Sequence, residues 1–329
     1  MYDIYFLAAY GALNEHIEGG KAETFDFVCE RGHVRSVFIK RPVPFLLNGK
    51  EYFDAITPYG YGGPLVLEST DRQALLAAYA DAYRAYCRKE RIVDEFVRFH
   101  PLAENALDFG NLYEASYNRH TIAVDLTDAE YSRNQFTPNC RNMIRKAEKK
   151  GVKIEVDEAC ARIGQFIPLY YATMDKNRAS DYYYFGPEYY NQLLHIEGCK
   201  VILINALLED RLIGSAMFML SGENMHYHLS GTDPAYYSYA ANNAILAAAA
   251  AYGHAHKKRW LHLGGGVTAD EKDPLFKFKR NFGRMDHNLK DYYIGKAVFL
   301  PEEYAQLCEI ARERGLEPGG FFPAYRKAH

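Results

Sequence analysis

No CxxC pair occurs in the sequence: its six cysteines (Cys29, Cys87, Cys140, Cys160, Cys199 and Cys308) are scattered singly. That spacing argues against a zinc ribbon or a disulfide framework and leaves reduced, mostly buried thiols of a cytosolic chain as the expectation. Long apolar runs are missing too. The longest, residues 244–252, falls far short of the roughly 20 residues that cross a bilayer. The opening stretch MYDIYFLAAYGALNEH lacks a basic n-region, so neither export nor a membrane span is expected, and the expected localisation is cytoplasmic. With 39 basic against 42 acidic residues the net charge is only −3, so any contact with a polyanion has to come from a local patch.

What is present is a chain of 329 residues, enough for two ordinary domains. Its 48% hydrophobic and 25% charged residues suit a soluble globular protein. Tyrosine is abundant, with 28 residues, many of them in DYYYFGPEYY (residues 181–190) and PAYYSY (residues 234–239). Tyrosine joins a flat apolar body to a hydroxyl and suits clefts that hold sugars, peptides or nucleobases; it lines ordinary helix packing equally well.

A weak duplication runs along the chain. In the first half two strand-like runs flank a turn, TFDFVCE-RGH-VRSVFIK, followed by the helical DRQALLAAYADAYRAYCRKE and the strand IVDEFVRF. The second half repeats the order with KVILINALLEDRLIGSAMFML and NMHYHLS, then the alanine-rich helix ANNAILAAAAAYGHAH, a basic turn and the strand WLHL. Thr70 with Gln73 and Thr127 with Glu130 fit capping boxes. The helix after Thr127 is read as interrupted at Pro138, resumed as NCRNMIRKAEKK and stopped at Gly151. The expected fold class is therefore α/β or α+β with mixed sheets in two domains, residues 1–135 and 136–329.

The segment LHLGGGVTADEKDPLFKFKRNFG (residues 261–283) carries the strongest local signal. It is no P-loop, because no lysine follows the glycines at the required spacing. Gly264, Gly266 and Ala269 match a GxGxxA dinucleotide fingerprint in form, but Asp270 and Glu271 stand where a pyrophosphate belongs, and too little chain follows for the remaining strands. The third reading is a strand end opened by glycine so that backbone approaches an extended substrate. Phe278 and Phe282 then share one helix face, as do Leu275 and Lys279. This makes Lys279 an ammonium at an apolar wall, suited to a phosphate or a developing oxyanion, with a snorkelling surface lysine as the alternative.

His226 and His228 alternate on one strand face, with His262 expected on the strand beside it. Three imidazoles at that spacing admit a metal, yet no carboxylate or cysteine stands at ligand spacing and none is expected. His228 or Asp233 is then a candidate acceptor for the proton of an attacking amine. Arg141, Arg145 and Lys149 follow i, i+4 steps on one helix; they are candidate contacts for the phosphates of tRNA or of a nucleotide-linked precursor, or a solvated face.

The run LHLGGG…DPLFKFKRNFG, preceded by IPLYYATMDKNRASDYYYF and MHYHLSGTDPAYYSYAANNAIL, resembles the FemAB-like and BioF2-like acyltransferases, tandem relatives of the GNAT fold. The segments KRPVPF, DAITPYGYGGPL and NCRNMIRKAEKKGV extend the resemblance from Val34 to Gly283. It implies two GNAT-like units and transfer of an acyl or aminoacyl group to an amine. Lys279 would be the first catalytic residue, joined by His228 and Asp233. From the matching segments Lys40, Arg41, Tyr59, Tyr61, Asn177, Tyr227, Tyr237, Asn242 and Phe278 would contact substrate, the acceptor lying in a cleft between the domains. Members of the FemX branch use aminoacyl-tRNA to extend the peptide of a cell-wall precursor; other GNAT relatives use acetyl-CoA.

A GNAT unit that binds acetyl-CoA usually carries a Gln/Arg-x-x-Gly-x-Gly/Ala loop where its central helix begins, so that backbone N–H groups reach the pyrophosphate. Here the stretch is GTDPAYYSYAANNAIL, with Tyr236, Tyr237 and Tyr239 on the approach. That departure favours aminoacyl-tRNA over acyl-CoA as donor. No tightly bound cofactor is expected. No long heptad insertion for a coiled-coil arm is present, so a tRNA would be gripped by globular surface alone. The alternatives are an acyl-CoA or acyl-carrier dependent N-acyltransferase acting on an amino sugar, and a non-catalytic ligand-binding module. Peripheral membrane association and the oligomeric state stay open.

Overall fold

The computed structural model describes residues 2–316 and 321–326. In chain order they form α1 (Ala8–Leu13), α2 (Glu15–Glu18), β1 (Lys21–Cys29), β2 (Gly32–Pro42), β3 (Phe53–Ile56), β4 (Leu65–Ser69), α3 (Arg72–Lys89), β5 (Ile92–Arg98) and β6 (Glu114–Asp125). There follow α4 (Tyr131–Asn134), α5 (Pro138–Lys149), β7 (Val152–Asp157), α6 (Ile163–Asn177), α7 (Pro187–Leu194), β8 (Lys200–Leu208) and β9 (Arg211–Ser221). The last elements are β10 (Asn224–Thr232), α8 (Ala241–Ala255), β11 (Trp260–Gly264), α9 (Pro274–Arg280), β12 (Leu289–Val298) and α10 (Pro301–Glu313). Among the described residues no helix is long and apolar enough to cross a membrane.

The chain divides into two compact units. The first comprises Tyr5–Asn118 and Asp291–His329, the second Arg119–Lys290 with Met1–Ile4. The boundary expected at residues 135/136 is thus displaced to 118/119, and the C-terminal segment returns to the first unit. Strand pairing is the reason: β12 runs antiparallel to β5, from Ile294 opposite Arg98 to Val298 opposite Asp94. Helix α10 adds Leu307 and Ala311 to a core that includes Val93. Contacts this distant in sequence leave no local pattern to read.

In the first unit the strand order is β1-β2-β3-β5-β12, with β4 also on β2. The β1–β2 hairpin forms where the alternation of apolar and polar residues predicts it. The connection from β3 to the parallel β5 passes through β4 and then α3, which buries Leu75, Tyr79, Tyr83 and Cys87 against Val34, Phe38 and Val97. Its cap is Asp71, whose Oδ1 accepts from the Ala74 N–H at 3.1 Å. The expected Thr70 cap is not used, since its hydroxyl turns to the Arg31 carbonyl at 3.3 Å.

The second unit has the order β6-β11-β10-β9-β8-β7. Alanines of α8 keep that helix slim, so Ala241, Ile245, Leu246, Ala249 and Ala250 join one core with Ile202, Phe218 and Met225 of the sheet and Cys140 and Ala147 of α5. The alternate strand residues Val201, Leu203, Met217 and Met219 are buried as well, so both sheet faces are covered. Pro138 does not interrupt a helix. It is the first residue of α5, whose cap Thr137 accepts from the Cys140 N–H at 3.1 Å, the position where a missing N–H costs nothing. Thr127 instead donates to Asp125. Gly151 follows the end of α5 at φ +79°, as its sequence position implied.

Both units repeat a helix-containing crossover between parallel strands, β3-β4-α3-β5 and β10-α8-β11. In the first unit the strand pair is followed by a further parallel bridge, Gly62 opposite Phe99. Its core holds Glu95, fully buried, with Tyr83 and Tyr113 hydroxyls donating to Oε2 at 3.0 and 2.7 Å. Burial pushes this carboxyl up to about 7, against the pull of the two hydroxyls. A carboxyl raised above its unfolded value near 4.5 stabilises the fold below that pH and loses this contribution as pH climbs through 7. The shift corresponds to about 3 kcal/mol. Urea unfolding at pH 5 and pH 8 is expected to show a smaller pH dependence for Glu95→Gln than for wild type by that amount; identical dependence in the two proteins would refute this account.

Candidate functional site

Strands β10 and β11 are parallel but pair only over Asn224–Trp260, Met225–Leu261 and His226–His262. Beyond these pairs both strands are distorted at the same level. The register of β10 against β9 shifts between Tyr227 and Leu229, which makes His228 a bulge residue. On β11 the register against β6 shifts between His262 and Gly264, and Gly264 adopts φ +73°, a conformation natural to glycine. The strands therefore part, and the edge of β10 beyond His226 has no β11 partner. Helix α6 supports the far end of β10. Gly231 lets the α6 backbone approach so closely that a Cβ there would lie 2.5 Å from the Leu169 carbonyl, and the Thr173 hydroxyl accepts from the Thr232 N–H at 3.2 Å.

The glycine run closes this opening on the side of β11. Asp273 caps α9: its Oδ1 accepts from the Leu275 and Phe276 N–H groups at 2.8 and 3.0 Å, and its Oδ2 from the Thr268 N–H at 3.1 Å. Burial alone would raise this carboxyl, but those N–H groups hold it below its usual value. Gly266 passes so near that a Cβ would stand 2.7 Å from Asp273 Oδ1. Arg119 binds the Gly266 and Val267 carbonyls at 3.1 and 3.2 Å. The carbonyl of Gly265 is left to accept from Lys279 Nζ at 2.7 Å.

Lys279 is accordingly no surface lysine: it is 7% exposed. Burial lowers its pKa to about 8, with Asp273 pulling the other way. It is still mostly an ammonium at neutral pH. Its Nζ lies 5.8 Å from the centre of the Tyr227 ring, and the Tyr227 hydroxyl donates to Ser230 Oγ at 2.6 Å. Phe278 on α9 and Phe282, just past the end of that helix, meet edge to face at 5.7 Å, the pair the spacing implied. Lys279, Tyr227 and Phe278 are thus gathered on the side of the sheet covered by α8 and α9.

The three imidazoles each have their own partner. His226 Nε2 is 2.8 Å from Asp3, His262 Nε2 is 2.9 Å from Thr121 Oγ1, and His228 Nε2 is 2.7 Å from the Tyr189 hydroxyl. Burial drives the His228 pKa down to about 3, helped by His226. So weakly basic an imidazole is a poor proton acceptor but a good fixed hydrogen-bond partner for Tyr189. Asp233 caps the turn Pro234–Tyr239 through the Ala235 N–H at 3.0 Å and pairs with Arg211 at 3.0 Å. Asn242 accepts from the Thr232 hydroxyl at 2.6 Å, Tyr237 is exposed beside Lys176, and Asn177 is exposed at the end of α6.

The proposed basic stripe is incomplete. Arg141 is turned inward to the Ser132, Arg133 and Phe136 carbonyls, while Arg145 and Lys149 are exposed. In the first unit Arg41 is only 3% exposed and bound to Asp54 at 2.7 Å, a geometry that commits it to the interior. Lys40 is paired with Glu90 at 2.9 Å and lies over the Phe53 ring. Tyr61 packs edge to face with Tyr5 and Tyr292, and the Tyr59 carbonyl accepts from the Tyr10 hydroxyl at 2.9 Å. Sequence reasoning missed Tyr189, Ser230, Arg119 and the cap Asp273. Only the last had a local signal, Asp-Pro at a helix start.

The acetyltransferase (GNAT) domain family matches residues 134–280. The matched segment runs from the end of α4 to the end of α9 and contains the parted strands and Lys279. Among solved structures, FemX resembles the chain with a TM-score of 0.69 at 13% identity, over 92% of this chain and 94% of that one. The C-terminal domain of a putative lysylphosphatidylglycerol synthetase from Agrobacterium fabrum gives 0.57 at 12% identity, over 88% of each chain. L-PGS from Bacillus licheniformis gives 0.51 at 13% identity, over 83% of each. At such identities the likeness is one of fold, and the FemAB-like tandem GNAT fold implied by the sequence is the fold observed. No curated protein matches the chain by sequence.

The packing of this glycine loop is testable. Asp273 is locked by three N–H groups and cannot retreat from a new methyl group, so Gly266→Ala is expected to lose about 1–3 kcal/mol in denaturant unfolding. An unchanged midpoint would show that the loop yields freely.

Proposed function

We propose that the protein transfers an aminoacyl group from aminoacyl-tRNA to the amine of an envelope precursor or related small molecule. The observation that carries this reading is the buried ammonium of Lys279, held by the Gly265 carbonyl beside the parted strands β10 and β11. The amine nitrogen attacks the ester carbonyl, and the tetrahedral oxyanion takes a hydrogen bond from Lys279. Collapse forms the amide and breaks the ester bond, and the ribose oxygen of the carrier leaves with a proton while the amine gives one up. Aminolysis of an ester needs positioning and oxyanion stabilisation more than a strong base, which agrees with the low basicity of His228. A cytoplasmic site of action fits a donor that is made there.

The choice of donor is supported by the tyrosines of Pro234–Tyr239, which lie on the approach to α8. Ala240, at the cap of that helix, has φ +58° and no side-chain cap. The match to an acetyltransferase family favours a second reading, an acyl-CoA dependent N-acyltransferase acting on an amino sugar. Radiolabelled aminoacyl-tRNA that loses its label only when protein and amine are both present supports the first. Transfer from a CoA thioester in place of tRNA supports the second, and transfer from neither refutes both.

Lys279→Ala is expected to lower kcat by roughly 10²–10³-fold, the usual loss of one oxyanion donor. A lysine whose pKa is lowered to about 8 is charged below that pH and neutral above it. The kcat/KM profile is therefore expected to fall above pH 8, and Lys279→Arg, charged throughout, should move that fall upward. A basic limb that ignores the arginine variant would take the ammonium out of the mechanism.

A further inference from the structure

Each tyrosine of the turn Pro234–Tyr239 meets a cation from a different element. Arg211, at the start of β9, lies 5.1 Å from the centre of the Tyr236 ring. Lys176, near the end of α6, lies 4.1 Å over Tyr237 and donates to its hydroxyl at 2.9 Å. Lys150, at the C-cap of α5, lies 4.4 Å over Tyr239. Arg211 is neutralised by Asp233, but Lys150 and Lys176 have no carboxylate partner among the described residues. Several other surface cations are paired, Lys21 with Glu15, Arg72 with Asp108, Arg162 with Glu155 and Lys200 with Glu158. Tyr237 is 43% exposed, both lysines are exposed, and α5 carries Arg145, Lys146 and Lys149 exposed before Lys150.

We infer that this collar of tyrosines and lysines is a docking surface for the single-stranded, phosphate-bearing end of an RNA, an inference that rests on the donor proposed above. A cation resting on an exposed ring gains only about 0.5–1 kcal/mol and keeps its full charge. A phosphate therefore captures it at little cost, and a ring released from its cation offers a face on which a base stacks for about 1–3 kcal/mol. The cations come from three elements in place of a single loop. That spread suits an extended phosphodiester chain better than one compact diphosphate. The chain's net charge of −3 provides no general attraction, so a patch of this kind has to supply it.

The test is fluorescence anisotropy of the full chain with a labelled, deacylated RNA minihelix ending in single-stranded CCA, over a series of salt concentrations. A double variant, Lys150→Ala with Lys176→Ala, is expected to bind roughly tenfold more weakly whatever the RNA sequence, with a salt slope shallower by about 1.4, two contacts at roughly 0.7 each. Tyr237→Ala should lose affinity with the slope unchanged. Wild-type affinity and slope in both variants would overturn the inference, as would a wild type that ignores RNA but binds coenzyme A through the two lysines. Deacylated RNA separates this result from the donor question. Transfer by wild type with unaltered RNA binding in the variants refutes the collar alone; binding through the collar without transfer refutes the donor alone.

Discussion

The second unit depends on the place where two parallel strands stop pairing. Three residue pairs hold β10 to β11, and after His226 and His262 a bulge on one strand and a left-handed glycine on the other send them apart. Opening a sheet leaves main-chain N–H and C=O groups that must find other partners. Part of the demand is met within the protein, by the Thr173 hydroxyl at the Thr232 N–H. The remainder is a strand edge without a β11 partner, with an ammonium beside it. A substrate that offers polar groups at the right spacing can complete what the sheet leaves unfinished.

Burial then sets the charge pattern. Both Lys279 and His228 are driven toward their neutral forms by desolvation, yet they end on opposite sides of neutrality. An amine that begins near 10.5 and falls to about 8 stays a cation, whereas an imidazole that begins near 6.5 and falls to about 3 stays uncharged. One physical cause thus yields a cation on one face of the sheet and a neutral hydrogen-bond partner on the other. The Gly265 carbonyl keeps the cation in place without cancelling its charge, which a carboxylate would have done.

The first unit carries the same crossover without the same consequence. Its parallel strands gain a further bridge at Gly62 and Phe99, and its helix fills the sheet with stacked tyrosines, Tyr79 on Tyr83 at 5.6 Å. Glu95 there is enclosed by hydroxyls and has no route to solvent. Within this unit the cations singled out from sequence are held by acids, Arg41 by Asp54 and Lys40 by Glu90.

Local spacing was enough to read the β1–β2 hairpin, the alanine-rich helix between parallel strands, the pairing of Phe278 with Phe282, and a lysine placed after a glycine-opened strand. These are properties of a few neighbouring residues, governed by backbone periodicity and glycine's conformational freedom. Cap assignments failed at Thr70 and Thr127 because several hydroxyl or carboxylate side chains stood within reach of the same N–H groups. Which cations are buried, and which remain free for a ligand, was decided only by tertiary structure. Arg41 and Arg326 both reach Asp54, and His226 reaches Asp3, across separations of 13, 272 and 223 residues. Electrostatic fate depends on the nearest opposite charge in space, and chain order carries no record of that distance.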